Sequence, residues 1–128
     1  TLGVVVIGFG TDELPAFTTT TSGLPVPHRM DDPAEIAAVL RHRKALGQGG
    51  VLVCAPPPEP LDADVLAAAN EQAEADADAA SIAGSARTPY VLGAIARLTN
   101  GASVSANTAL VTNNATIATA IAVALAAG

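Results

Sequence analysis

Two asparagines seven residues apart, Asn107 and Asn114, interrupt an otherwise apolar stretch from Ser103 to Ala127. That spacing places them near one face of a helix. An amide among apolar side chains is costly unless hydrogen-bonded, and it both donates and accepts. The pair needs partners, either in neighbouring backbone carbonyls or in a ligand. A second group lies near the start of the chain. Gly8-Phe9-Gly10-Thr11 leaves an apolar run in the order of a phosphate cradle, without the third glycine or the lysine of such motifs. His28 and Arg29 follow an extended segment stiffened by Pro25 and Pro27, and are placed to meet an anion. The alternative is an irregular crossover whose Arg29 pairs with Asp31 or Asp32.

No complete catalytic set can be assembled. There is no placeable Ser-His-Asp group, no zinc spacing and no carboxylate pair with a reason to meet. Glu71, Glu74, Asp76 and Asp78 follow a solvated helix face without His or Cys, a poor metal set. Thr1 is a candidate N-terminal nucleophile using its own amine as base, against the plainer reading of a cleaved or trimmed end. Arg41, His42, Arg43 and Lys44 suit the end of a helix dipole, with phosphate binding as the alternative. Lys44 is the only lysine.

The elements that must hold these groups are legible in outline. Val4 to Ile7 and Val51 to Cys54 read as buried strands, since neither alternates. Between them, Asp32-Pro33 starts a helix as cap and first residue, and the run from Gly47 to Gly50 ends it. Ile36, Val39, Leu40 and Leu46 form its apolar face. Helix between two strands is the signature of a parallel sheet. Asp62 caps a further helix to about Ala80, with Val65, Leu66, Ala69, Gln72 and Ala73 inward. Ser81 to Ala86 connects it to a helix capped by Thr88-Pro89, with Leu92, Ile95, Ala96 and Leu98 apolar. After the turn at Asn100-Gly101, Ser103 or Ser105 caps the last helix, whose apolar face is Leu110, Ile117, Ile121 and Leu125. Two strands cannot form a stable sheet beneath this many helices, so the remaining strands are expected elsewhere.

Composition narrows the function classes. The 128 residues suffice for one modest core or part of a larger one. Half of the residues are hydrophobic but only 2% are aromatic, so the core is built from Ala, Val, Leu and Ile. A net charge of −6 gives no basic footprint for nucleic acid or an anionic membrane. No uninterrupted apolar run reaches the ~18 residues of a membrane span, and no signal peptide pattern is present. The single cysteine, Cys54, has no internal disulfide partner, and the default setting is cytoplasmic and reducing.

Three stretches carry a family resemblance. Gly8 to Asp31, including Gly10-Thr11-Asp12-Glu13 and Ser22-Gly23-Leu24-Pro25-Val26-Pro27-His28-Arg29, resembles a long segment of the pseudouridine-5'-phosphate glycosidases, also called the indigoidine synthase A family. Thr88-Pro89 and its following helix are similar to that family's next segment. Asn107-Thr108-Ala109-Leu110-Val111 with Asn113-Asn114-Ala115 resembles its ending. Where the family carries an asparagine before its proline turn, this chain has Ala55.

The resemblance covers the whole chain but only the C-terminal part of the longer family proteins. It implies an α/β fold: the C-terminal part of an α-β-α layered domain whose remaining strands lie in a missing N-terminal segment. It implies an enzyme of the C–C bond between ribose 5-phosphate and uracil, working through a sugar imine on a lysine. That lysine, a proton-moving glutamate and an aspartate for manganese belong to the family's N-terminal part, so this chain supplies no catalytic or metal residue. Asn107 matches the asparagine implied to bind the base ring. Asn114, Thr11, His28 and Arg29 are the weaker site candidates. The implied partners are the N-terminal segment, a homotrimer, and a sugar phosphate with an aromatic ring. Ala55 and the threonine run from Thr18 to Thr21 motivate an alternative, a C-glycosynthase joining ribose 5-phosphate to another aromatic ring. A non-catalytic interaction domain is the reading from another class.

Overall fold

The computed structural model describes residues 3–128, so Thr1 and the nucleophile role considered for it lie outside the described residues. The β-branched run after Gly3 forms β1 (Val5–Phe9). It is followed by β2 (His28–Met30), α1 (Pro33–Ala45), β3 (Val51–Cys54), α2 (Ala63–Ala79), α3 (Arg87–Leu98) and α4 (Ala102–Ala126). A 3-10 turn, Gly84–Ala86, leads into α3.

The sheet is parallel and three-stranded in the order β2-β1-β3. Two strands were expected from the sequence; the third is the segment read as an extended loop. His28 pairs with Ile7 and Met30 with Phe9. On the other side Val5 pairs with Val51 and Gly8 with Cys54. Chain direction brings the loops after β1, β2 and β3 to one edge, where parallel sheets hold ligands.

One face of the sheet is covered. Val5, Ile7, Val51 and Val53 pack with Ile36 of α1 and Ile117 and Ile121 of α4 around a fully buried Ile7 and Ile36. The other face is open: Leu52 of β3 is 50% exposed, and Val4, just ahead of β1, is 48% exposed. A second core joins α2 to α3. Ala69, Ala73 and Ala77 recur every four residues, so α2 presents a smooth stripe that meets Val91, Ala94 and Ile95. Arg87 ties the same two helices, donating from Nε to Glu74 at 2.9 Å and from Nη1 to Asp78 at 2.6 Å. That pairing accounts for two acids at the unfavourable end of the α2 dipole.

Asp32 and Asp62 cap α1 and α2, their carboxylates accepting from Ala34 and from Asp64 and Val65 respectively. The start of α4 differs from expectation. Gly101, at φ +83°, occupies the cap position without a side-chain bond. The Ser103 amide instead donates to the Thr99 hydroxyl at 3.2 Å, so neither Ser103 nor Ser105 is needed as cap. Likewise α3 begins at Arg87, ahead of Thr88-Pro89, because the 3-10 turn delivers the chain already wound.

Several residues assigned to apolar faces are exposed: Leu46, Val65, Leu92, Leu98 and Leu125. Gln72 also faces out rather than in, and its amide donates to Asp76 at 2.8 Å. Periodicity finds a helix's apolar stripe but not whether another element lies over it. α4 is long and apolar enough to cross a membrane by length and composition alone. Its C-terminal half instead packs on α1 and the sheet, where Arg41 donates to the Ala124 carbonyl at 3.2 Å.

Gly8 has no room for a side chain. A Cβ there would lie 2.2 Å from the Thr11 carbonyl oxygen and 2.8 Å from Val26 Cγ2. Gly8→Ala is therefore expected to destabilise the fold by about 3 kcal/mol. Urea denaturation of the assembled protein checks this; an unchanged midpoint would show that the loop yields freely.

Candidate functional site

The loop after β1 does not travel directly to β2. It folds back over the helices, closed by the Leu14 amide donating to the Leu24 carbonyl at 2.8 Å and the Val26 amide to Asp12 at 2.9 Å. The Leu61 amide donates to the Thr18 carbonyl at 2.9 Å and anchors the loop tip beside the start of α2. A cleft of about 650 Å³ lies between this tip and helices α2, α3 and α4.

Its walls are mostly apolar: Phe17, Leu66, Leu92, Ile95 and Val104. Phe17 is 66% exposed at φ +58°. That left-handed conformation costs a bulky residue roughly 1–3 kcal/mol, a strain that collects at ligand clamps. The polar groups are few. Asn107 comes from α4, Asn70 from α2, Ser103 from the first turn of α4, and Thr18 and Thr19 from the loop. Among the described residues, no Arg, Lys or His lines the cleft.

Asn107 is exposed at this cleft. The expectation of partners within the protein is not met: neither its amide nor that of Asn114 makes a hydrogen bond among the described residues. The threonines of α4 behave differently, since Thr108, Thr112, Thr116 and Thr119 each donate to the carbonyl four residues earlier. The amides are left to face outward. Thr18 is 4% exposed, and its hydroxyl is the one buried side-chain polar atom without a partner among the described residues. Such an orphan costs about 1–3 kcal/mol unless water or a ligand meets it.

The other sequence candidates go elsewhere. Asn114 sits about 10 Å along the helix from Asn107, in a separate cleft of about 390 Å³ with Val53, Ile117 and Leu125. Thr11 is committed locally: its hydroxyl donates to the Glu13 carbonyl at 3.0 Å and accepts from the Glu13 amide at 3.2 Å. The Gly10 amide donates to Met30 at 3.0 Å, so the loop is closed onto β2 rather than open as a phosphate cradle. Arg29 binds two carboxylates, Asp12 at 2.6 Å and Asp31 at 3.0 Å. The expected pairing with Asp31 is present, and Asp12 is a further partner that the sequence did not suggest, because β2 runs beside the loop that leaves β1. Hydrogen bonds to Asp12 and then Asp31 push the Arg29 guanidinium still higher. Its charge is already answered, which weakens it as a phosphate ligand. His28 is exposed on β2. The helix-end cations are not merely solvated: Arg43 clamps the Gly3 and Gly49 carbonyls at 2.6 and 2.9 Å.

Asn70 and Thr18 were not recognised from sequence. Asn70 lies four residues after Leu66, on the side of α2 that meets the cleft, and this spacing was the available signal. Thr18 entered only as one of the run Thr18 to Thr21, since its own burial depends on the loop folding back.

A parallel sheet with helices packed on one face, and a cleft between the loop after β1 and helices α2, α3 and α4, define one part of a layered α/β protein. The chain belongs to the indigoidine synthase A-like family, whose description matches residues 1–124. It is 52% identical to the pseudouridine-5'-phosphate glycosidase of Paracoccus denitrificans over 98% of this chain and 42% of that protein. It is 47% identical to that of Herpetosiphon aurantiacus, again over 98% and 42%. The crystal structure of the prealnumycin C-glycosynthase AlnA with ribulose 5-phosphate superposes with a TM-score of 0.83 at 36% identity, over 98% of this chain and 42% of that one. An indigoidine synthase A-like protein from Thermotoga maritima gives 0.80 at 30% identity, over 95% and 41%. The chain thus spans about two fifths of the length of the curated relatives it matches, in their C-terminal part.

Cys54 ends β3, and burial pushes its thiol above the ordinary range. The thiolate is the reactive form, so it accumulates only at higher pH than for a free cysteine. Alkylation of Cys54 by iodoacetamide at pH 8 is expected to be slower than that of glutathione, and a rate equal to glutathione's would contradict the burial.

Proposed function

We propose that this chain completes an enzyme that makes or breaks the C–C bond between C1 of ribose 5-phosphate and a uracil ring, as found in pseudouridine 5'-phosphate. The observation that carries the reading is Asn107. Its unbonded amide faces an apolar, cation-free cleft, within the stretch through which the chain resembles the glycosidases. Such a cleft suits a flat heteroaromatic ring and not a phosphate.

A C-glycosidic bond offers no heteroatom whose protonation would release the ring. Opening the sugar to an imine on a lysine supplies an electron sink next to the breaking bond. Lys44 does not serve: it lies at the end of α1 beside Arg41 and Gly47, in a different cleft from Asn107. The lysine is therefore assigned to a segment outside these residues, together with the proton-moving glutamate and the phosphate contacts. Manganese is proposed with the same segment, since the described residues hold no group of three or more His, Cys, Asp or Glu able to bind a metal. No step is routed through it. A homotrimer in a cytoplasmic setting completes the proposal.

AlnA motivates a second reading, a C-glycosynthase for a larger aromatic ring. Ala55, where the family carries an asparagine, lines the Asn114 cleft and not the Asn107 cleft, so this reading rests on AlnA alone. Offering uracil and larger phenolic or quinone acceptors with ribose 5-phosphate separates the two, and turnover of uracil alone removes the second.

Asn107→Ala in the assembled enzyme is expected to lower kcat/KM for pseudouridine 5'-phosphate about 10- to 100-fold, the loss of one buried hydrogen-bonding group. Unchanged kinetics would favour a non-catalytic interaction role. The 128 residues alone are expected to give no turnover; measurable release of uracil by them would overturn the division of the site.

A further inference from the structure

Asn70 has no role in the account above. It lies on α2, is exposed, lines the same cleft as Asn107, and makes no hydrogen bond among the described residues. The two amides come from different walls. α3 touches both α2 and α4, and its Leu92 and Ile95 form apolar surface between them. An exposed asparagine in mid-helix is ordinary, but two unbonded amides flanking one apolar floor are a recognition geometry. Thr18 also lines the cleft; its hydroxyl is buried and makes no hydrogen bond among the described residues.

The chemistry of the ring fits two amides better than one. A uracil attached through C5 keeps both ring N–H groups and both carbonyls. It therefore presents amide-like edges, each with a donor beside an acceptor, on different sides of the ring. A carboxamide pairs with such an edge by donating to the carbonyl and accepting from the N–H. We infer that Asn70 is a ring-specificity residue, reading one N–H/C=O edge of the ring while Asn107 reads another. This rests on the assignment of the cleft to the ring. It gives the cleft a ligand class: planar heterocycles with two separate N–H/C=O edges.

The test uses the assembled enzyme with ribose 5-phosphate and, as acceptors, uracil, 1-methyluracil and 3-methyluracil. Each methyl group blocks one N–H. The wild-type enzyme is expected to discriminate against both. Asn70→Leu is expected to raise the KM for uracil about 10-fold and to lose discrimination at one methylated position while keeping it at the other. Asn70→Gln should recover part of that discrimination. The KM for ribose 5-phosphate should stay as in wild type, which also reports that the variant is folded. If the wild-type enzyme couples uracil but Asn70→Leu keeps both its uracil KM and its discrimination, Asn70 is a surface residue and the inference is overturned. If the wild-type enzyme does not couple uracil at all, the ring assignment has failed and the inference falls with it.

Discussion

The structure depends on a parallel sheet that is covered on one side. Parallel strands are stable where helices cover both faces, because connections between them cross over the sheet. Here α1 and α4 lie over Val5, Ile7, Val51 and Val53, and a fully buried Ile7 and Ile36 mark the centre of that layer. The reverse face leaves Leu52 half exposed. Phe17, Leu46, Val104, Val111 and Val123 are exposed as well. These side chains are not gathered into either buried cluster. The pattern fits one part of a larger layered domain, which agrees with the two fifths of the relatives' length that the chain spans.

The same constraint explains the division of chemistry. Among the described residues, the cleft at Asn107 offers apolar walls, carboxamides and hydroxyls but no Arg, Lys or His, which is the basis for proposing it as the site of a neutral ring. Four of the six Lys and Arg residues, Arg29, Arg41, Arg43 and Arg87, make side-chain hydrogen bonds within the chain. Arg29 secures the loop after β1, Arg87 joins α2 to α3, and Arg41 meets the C-terminal carbonyls of α4. An enzyme of C-glycosidic bonds needs an electron sink and an anion site as well as a ring site. The proposed ring site draws on α2, which the Ala69, Ala73 and Ala77 stripe packs against α3, and on α4, whose C-terminal half packs on the sheet.

Much of this was legible in the sequence, and the remainder was hidden for identifiable reasons. β1 and β3 are continuous apolar runs and were read within a residue or two. β2 was not, because His-Arg-Met carries no apolar signal; it becomes a strand only through pairing with β1. The helices were found by their periodicity and aspartate caps, but the start of α4 is set by the left-handed Gly101 and the Thr99 hydroxyl rather than by a serine. At the site, Asn107 stood out as a polar residue in an apolar helix. Its pairing with Asn114 did not survive, since residues on one helix face can look into separate clefts when different elements cover its two halves. Asn70 and Thr18 were concealed because their meaning depends on the loop tip returning to α2.

Native mass spectrometry of the purified enzyme, followed by the same measurement under denaturing conditions, tests the central claim that protein outside these residues completes the sheet and the site. The account predicts that the active species contains more than this chain, either as a longer polypeptide or as a second one released on denaturation. A folded, active species of 12.6 kDa standing alone would contradict it.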